Sequence, residues 1–355
     1  MTSPYSSSFG RIQALSMNFL SDDFVQNLVK SEDISSITRL LENTWYGFEI
    51  ERAASMYSGP ELLEVAMNRH IVEINRIAIE VTPFNRKSSI QAYLSKWDIY
   101  NIELILSSKA IGRTITQTEP FLVSSRNFPA GITAGNISHD EMKIILAQPT
   151  FEGVVNQLVK YKYGVILIQH LDTYQKTGNL SPMIADLMDF YYSNLLDTLK
   201  FFHGDEGSLR DLIRVQMDKK NLMILLKAKQ TDLDRDVVKR HLISGGNQRI
   251  DDLLDIYGSN DTDGLAARIN EFLKLDGLLE IYNRSKNLID FEVAIDKYLY
   301  KNYVRKIKNI ALSIGAIFYF ILKAEYEWDN VKRIVYGKRF GFSEDRIKSM
   351  LIVDV

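Results

Sequence analysis

Few residues in this sequence have the type and spacing for chemistry, and most of those are carboxylates. Asp251, Asp252 and Asp255 fall within one turn of a helix in the run Asp251-Asp252-Leu253-Leu254-Asp255. Carboxylates so placed can hold magnesium ions that bind a diphosphate. No second aspartate-rich motif follows, and no basic cluster of the kind a diphosphate needs. Leu253 and Leu254 also suit a core position that leaves the acids in water. Asp232, Asp234 and Asp236 alternate as in a calcium loop. The glycine that turns such a loop and the glutamate that closes it are both missing, so these acids are better placed to open a helix running into Val237 and Val238. His70, His139, His170, His203 and His241 show no paired metal-ligand spacing. The chain has no cysteine, which excludes thiolate catalysis, disulfides and cysteine-type zinc sites and fits a reducing compartment. No glycine-rich loop ends in Gly-Lys-Ser/Thr, so ATP binding by this chain is not expected. The expectation is a protein without catalytic residues, bound metal or cofactor.

Composition narrows the class further. Hydrophobic residues make up 46% of the 355 residues, enough for two or three units with real cores. A formal net charge of −2 lacks the electrostatic footprint of a nucleic-acid binder. Prolines and glycines are few, which favours long helices. Residues 1–8 are serine-rich and carry no basic region followed by an apolar stretch, so no signal peptide is expected. The longest apolar run, 310–322, lies between Lys308 and Lys323 and falls short of the ~20 residues that span a bilayer. It reads as a buried core helix.

The elements that would position any site come from a repeated pattern. In the stretch 325–341, Trp328, Val331, Ile334 and Val335 share one helical face, and Asp329 and Arg333 stand four apart where they can pair. Glu327, Asn330, Val331, Ile334, Val335, Lys338 and Gly341 form an ordered series. Asp98, Asn101, Ile102, Ile105, Leu106, Lys109 and Gly112 repeat it. Asp218, Asn221, Leu222, Leu225, Leu226 and Lys229 repeat it again, with Asp232 in the place of the glycine. The copies lie roughly 110–120 residues apart, near the size of one domain. Asn is a mediocre helix former, so its recurrence marks a packing or hydrogen-bonding position. Gly112 and Gly341 are expected to end their helices in the left-handed conformation.

The rest of the chain follows the same order. Helices are expected over 9–20, 22–30, 34–46, 65–81, 139–147, 151–163, 183–202, 250–257, 265–275 and 343–352, with stops at Gly47, Pro83 and Gly164. Residues 310–322 form one helix and the Asn330 segment the next. The loose stretch 117–135 and the turn around Gly245-Gly246 occupy matching places in successive repeats. No convincing alternating strand is present, and Phe121-Leu122-Val123 is brief and isolated. The class is all-α, in three similar helical bundles at 1–117, 118–236 and 237–355.

With these residues in view, the chain resembles the C subunit of A/V-type rotary ATPases, equivalent to the d subunit of vacuolar ATPases, over nearly its whole length. The resemblance is carried by Asp329-Asn330-Val331-Lys332-Arg333-Ile334 with Gly337-Lys338, by Leu312-Ser313-Ile314-Gly315, and by residues 98–106. Arg11-Ile12-Gln13-Ala14-Leu15 is similar to the family's Arg-Val-Arg-Ala-Met opening, although Phe9 stands where an Asn is usual and Gln13 replaces the second Arg. Thr44-Trp45-Tyr46-Gly47 is similar to its Thr-x-Tyr-Gly ending of an early helix. Lys220-Asn221-Leu222-Met223 lacks an Arg two after the Asn. The resemblance implies a pseudo-threefold, funnel-shaped helical protein without catalytic activity. It would be peripheral on the cytoplasmic face of the membrane, as part of a complex that moves protons or sodium. Its partners would be the central-shaft subunits and the membrane rotor ring, with no nucleic acid and no small-molecule substrate. Asp251-Asp252-Leu253-Leu254-Asp255 is similar to the DDxxD motif of prenyl-diphosphate synthases, which are also all-α, and supplies the alternative.

Contact with partners is expected at the loops between bundles. Repeat-equivalent position and small residues point to Phe128, Pro129 and Gly131 in one, and Gly245, Gly246 and Asn247 in the next.

Overall fold

The computed structural model describes residues 5–125, 135–202, 206–259, 261–273, 278–308, 310 and 312–353. The described residues form helices and turns, with no β-strand among them. None of the described helices is long and apolar enough to cross a membrane. The chain folds as two compact units, one of Met1–Gly178 with Ile310–Val355, the other of Asn179–Asn309.

The first unit is built on two long antiparallel helices, Gly59–Val81 and Ile314–Arg339. Pro60 suits the first turn of the former, where its missing N–H costs nothing, and Thr82-Pro83 ends it. The latter starts at Ser313, whose hydroxyl accepts the Gly315 N–H, and ends at Gly341 with φ +70°. From Ile314 onward the apolar run and the Asn330 segment are therefore one helix and not two. Lys323-Ala324-Glu325 between them are good helix formers, and nothing there breaks the backbone ladder. Ser21 and Asp33 cap the Asp22–Lys30 and Ile34–Glu42 helices through their side chains. Leu28, Ile37, Leu41, Leu63, Val331, Ile334 and Ile347 meet in one buried cluster, each contributing on the order of 1.5–3 kcal/mol by removal from water.

Gly47 and Gly164 do not stop helices. Gly47 begins the Gly47–Ala54 helix and Gly164 lies in the first turn of Tyr163–Ile168. A Cβ at Gly47 would collide with the Glu42 carbonyl, and one at Gly164 would lie 2.6 Å from the Val155 carbonyl oxygen. The glycines let the start of one helix pack on the last turn of the one before. The positive φ at the second site belongs to Lys162 instead.

In the second unit, Ser181–Leu199 and Gly207–Gln230 are the long helices. Leu222, Leu225 and Leu226 pack with Leu253, Leu254, Leu265, Phe291, Ile295 and Leu299. Tyr191, Tyr192 and Phe202 are buried, but Phe201 points into solvent. The Leu288–Leu299 helix runs on into a π-turn at Tyr300–Val304.

Candidate functional site

The repeated Asn positions are structural clamps. Asn101 Oδ1 accepts the Val123 N–H at 2.8 Å, and its Nδ2 donates to the Val123 carbonyl at 3.1 Å. Asn221 does the same to Ile243, at 2.8 Å for both bonds. Asn330 does it to Ile352, at 2.8 and 2.6 Å. Each clamp thus grips a buried residue 22 positions downstream. A carboxamide is suited to this because it offers a donor and an acceptor side by side.

Between Asn and clamped residue the three copies share one path. The long helix ends in a left-handed residue, Gly112 (φ +71°), Asp232 (φ +50°) or Gly341 (φ +70°). A side-chain cap follows: Thr114 accepts from Gln117 N, Asp234 from Asp236 N, and Ser343 from Arg346 N. A short helix then leads to Val123, Ile243 or Ile352. Asp232 therefore takes the glycine's conformation, and Asp234 opens the helix into Val237 and Val238. Phe121-Leu122-Val123 is the approach to a clamp.

The acid three residues before each Asn holds a second loop. Asp98 accepts backbone N–H groups of Asn136 (2.7 Å) and Ile137 (3.2 Å) and the Tyr163 hydroxyl (3.0 Å). Asp218 accepts those of Asn247 and Gln248, both at 3.1 Å, and the Asn247 side-chain amide at 3.0 Å. Glu327 accepts the Leu20 N–H at 2.6 Å and the Tyr46 hydroxyl. Each held loop feeds the next helix: those after Asn136 and Leu20 are capped by Ser138 and Ser21, and the one after Asn247 is Ile250–Ser259. Gly135 and Gly246 sit where a Cβ would collide with the Asp98 and Asp218 carboxylates.

Burial dominates the electrostatics of these acids. It pushes Asp98 up to about 6 against the lowering effect of the Asn136 and Ile137 N–H groups. It pushes Glu327 up to about 7, against Tyr46, Leu20, Trp45 and Lys323. Asp218 is raised for the same reason. His70, packed against Trp45 and Tyr46, is lowered to about 3 by burial. Nothing here lines up a nucleophile with a base; the acids anchor backbone.

Of the sequence-predicted partner residues, Phe128, Pro129 and Gly131 lie outside the described residues. Gly245 and Asn247 are exposed and Gly246 half-buried in a loop fixed by Asp218. Gly245 has φ +98°, with Leu196 and Met217 against the position of its missing Cβ. Asp251, Asp252 and Asp255 line the solvent side of the Ile250–Ser259 helix, while Leu253 and Leu254 are buried. Asp255 pairs with Arg235 at 2.7 Å. No group of three or more His, Cys, Asp or Glu among the described residues could hold a metal ion. The Asp329–Arg333 pair forms, at 2.6 Å.

Sequence reasoning placed the acids but missed what they hold. The signal was present: Gly135-Asn136 and Gly246-Asn247 repeat one dipeptide before successive helices. It also missed the exposed apolar residues Ile111, Leu233, Phe340 and Phe342 beside the left-handed caps.

Residues 9–350 match the sequence profile of the ATP synthase (C/AC39) subunit family. Among curated proteins, the chain is 33% identical over 352 residues to the C subunit of the A-type ATP synthase of Thermoplasma volcanium, covering 99% of both chains. It is 32% identical over 355 residues to that of Thermoplasma acidophilum, covering all of both. Against that of Methanocaldococcus jannaschii the identity is 24% over 353 residues, 98% of this chain and 86% of the relative.

Proposed function

The chain belongs to the ATP synthase (C/AC39) subunit family, and on that premise we propose that it is a non-catalytic central-stalk component of an A-type ATP synthase. In this reading it is a socket between the central-shaft subunits and the membrane rotor ring. It turns with both and transmits torque for ATP-linked movement of protons or sodium. It sits peripherally at the cytoplasmic face of the membrane, as one part of the complex.

The observation that carries the reading is similarity to the family along nearly the whole chain. The three Asn clamps support a threefold element in it. One device at Asn101, Asn221 and Asn330 fits three repeats at 1–117, 118–236 and 237–355 around a pseudo-threefold axis, giving a funnel. A torque coupler needs stiffness, which packed helices of 23, 24 and 26 residues provide. The loops holding Phe128, Pro129 and Gly131, and Gly245, Gly246 and Asn247, are proposed to meet partners. Near-zero net charge means that association rests on shape and local patches.

Size-exclusion chromatography of the purified chain with the shaft subunits tests the reading. A stable complex of one chain per shaft is expected. Separate elution in both low and moderate salt would count against the socket.

A further inference from the structure

One end of the second unit concentrates positive charge, and helix register brings the charges together. Lys219 pairs with Glu292 at 3.4 Å and with Asp296. Tyr303, further along the same helical run, is raised by burial and by the nearby Tyr298, Asp211 and Asp218. Rising numbers after Leu288 thus meet falling numbers on Gly207–Gln230. The π-turn at Tyr300–Val304 carries the helix on through Arg305–Lys308, which packs beside the first turns of Gly207–Gln230. Ser181–Leu199 is antiparallel to Gly207–Gln230 as well, with the Lys220 ammonium 3.9 Å from the Met188 sulfur. Its last turn therefore reaches the same end.

Arg210, Arg214, Lys301, Arg305, Lys306 and Lys308 stand there. Val304 and Ile307 turn into the core, while Lys301, Lys306 and Lys308 are exposed. Arg210 and Arg214 lie one helical turn apart and half-buried, and their Nε atoms are buried without a hydrogen-bond partner among the described residues. A partly buried guanidinium carries a desolvation cost that an anion offsets, and its planar fork fits phosphate oxygens in pairs. The described acids beside these cations are Glu206 and Asp211, while Asp197 pairs with Lys200 at 3.7 Å. Six cations against two acids is a local excess in a chain whose formal net charge is −2. Phe201 adds a ring that is 72% exposed at the same end, with the Lys200 ammonium 5.3 Å from its centroid.

We propose that this end of the second unit binds the phosphate headgroups of an anionic lipid bilayer. The six cations are spread along two helices, which suits a surface of many phosphates more than one bound ion. An exposed phenylalanine among cations suits the bilayer interface, where the ring enters the acyl boundary and the cations stay at the level of the headgroups. A single exposed ring offers a nucleic acid no row of stacking platforms. The proposal goes beyond the stalk reading and needs neither shaft nor ring, so its failure leaves that reading standing.

The test is flotation of the full chain with vesicles of phosphatidylglycerol or of phosphatidylcholine, at low and moderate salt. Binding to the anionic vesicles alone is expected, weakening as salt rises. One basic residue near such a surface strengthens binding by roughly fivefold, so Lys301→Ala with Lys306→Ala should weaken it by roughly 25-fold. Both side chains are exposed, and an unchanged circular dichroism spectrum checks that the fold is kept. Lys227→Ala with Lys239→Ala removes the same charge from exposed positions near the other end of Gly207–Gln230 and should bind like wild type. Phe201→Ser changes no charge and should also weaken vesicle binding. No flotation, equal flotation with both lipids, or equal loss in the two double variants overturns the assignment. Displacement by inorganic phosphate alone, or wild-type binding by Phe201→Ser, would give these cations to free phosphate and overturn the bilayer as their partner.

Discussion

Glu327 accepts the backbone N–H of Leu20 at 2.6 Å across 307 positions of sequence. The same carboxylate takes the Tyr46 hydroxyl. This bond fastens the N-terminal segment to the last long helix. It does what Asp98 does for Asn136 and Asp218 for Asn247. The third acid is a glutamate, one methylene longer, and the residue it holds is not preceded by a glycine as in the other two copies.

Because burial raises Glu327 to about 7 from an ordinary 4.5, the folded state binds that proton more tightly than the unfolded one. Its contribution is full below about 4.5 and is lost as pH rises through about 7. Asp98, raised by burial to about 6, and Asp218, raised by burial as well, act in the same sense. The slope from one group is at most about 1.4 kcal/mol per pH unit. Urea unfolding from pH 4.5 to 8 should show wild-type stability falling across this window. Glu327→Gln, which keeps an acceptor for Leu20, should fall less and be the more stable protein at pH 8. Identical pH profiles would show that burial does not raise Glu327 above its unfolded value.

Asn330→Ala leaves the buried N–H and carbonyl of Ile352 without partners. Each such group costs on the order of 1–3 kcal/mol, so a loss of about 2–4 kcal/mol is expected in denaturant unfolding. Asn330→Asp, which still accepts but does not donate, should fall between wild type and Ala. A loss below about 0.5 kcal/mol for Asn330→Ala would mean that water replaces the clamp.

Asp232 holds φ +50° where the other copies have glycine. A left-handed side-chain-bearing residue costs roughly 1 kcal/mol, partly offset by the greater backbone freedom glycine adds to the unfolded chain. Asp232→Gly should stabilise the protein by about 0.5–1 kcal/mol. Thermal unfolding checks this, and destabilisation would show that the aspartate side chain has a role beyond its backbone conformation.

Asp251, Asp252 and Asp255 point into water in the first turns of their helix, where acids are favourable. Magnesium with inorganic diphosphate should leave the melting temperature unchanged. A rise that vanished in Asp251→Ala would revive a diphosphate-binding reading. The exposed Arg235–Asp255 pair should contribute no more than about 1 kcal/mol.

Much of this architecture was legible because the repeat preserves chemistry at fixed spacing. Asn101, Asn221 and Asn330 could be aligned since a polar residue recurs among apolar ones. Gly112 and Gly341 revealed the conformation that Asp232 adopts. What the Asn residues grip was not legible, because Val123, Ile243 and Ile352 look like any core residue and only the constant spacing of 22 links them. Gly47 and Gly164 were read as helix stops because glycine most often ends helices, whereas a close backbone approach requires it here. The single Ile314–Arg339 helix was divided because an apolar half and an amphipathic half look like two elements.

The central claim is that this chain couples shaft to ring and does no chemistry itself. The most direct measurement is ATP-driven ion pumping by the reconstituted enzyme assembled with and without it. Without the chain, the catalytic head should still hydrolyse ATP but drive no ion movement, and adding the purified chain should restore pumping. Pumping at full rate in its absence would contradict the claim.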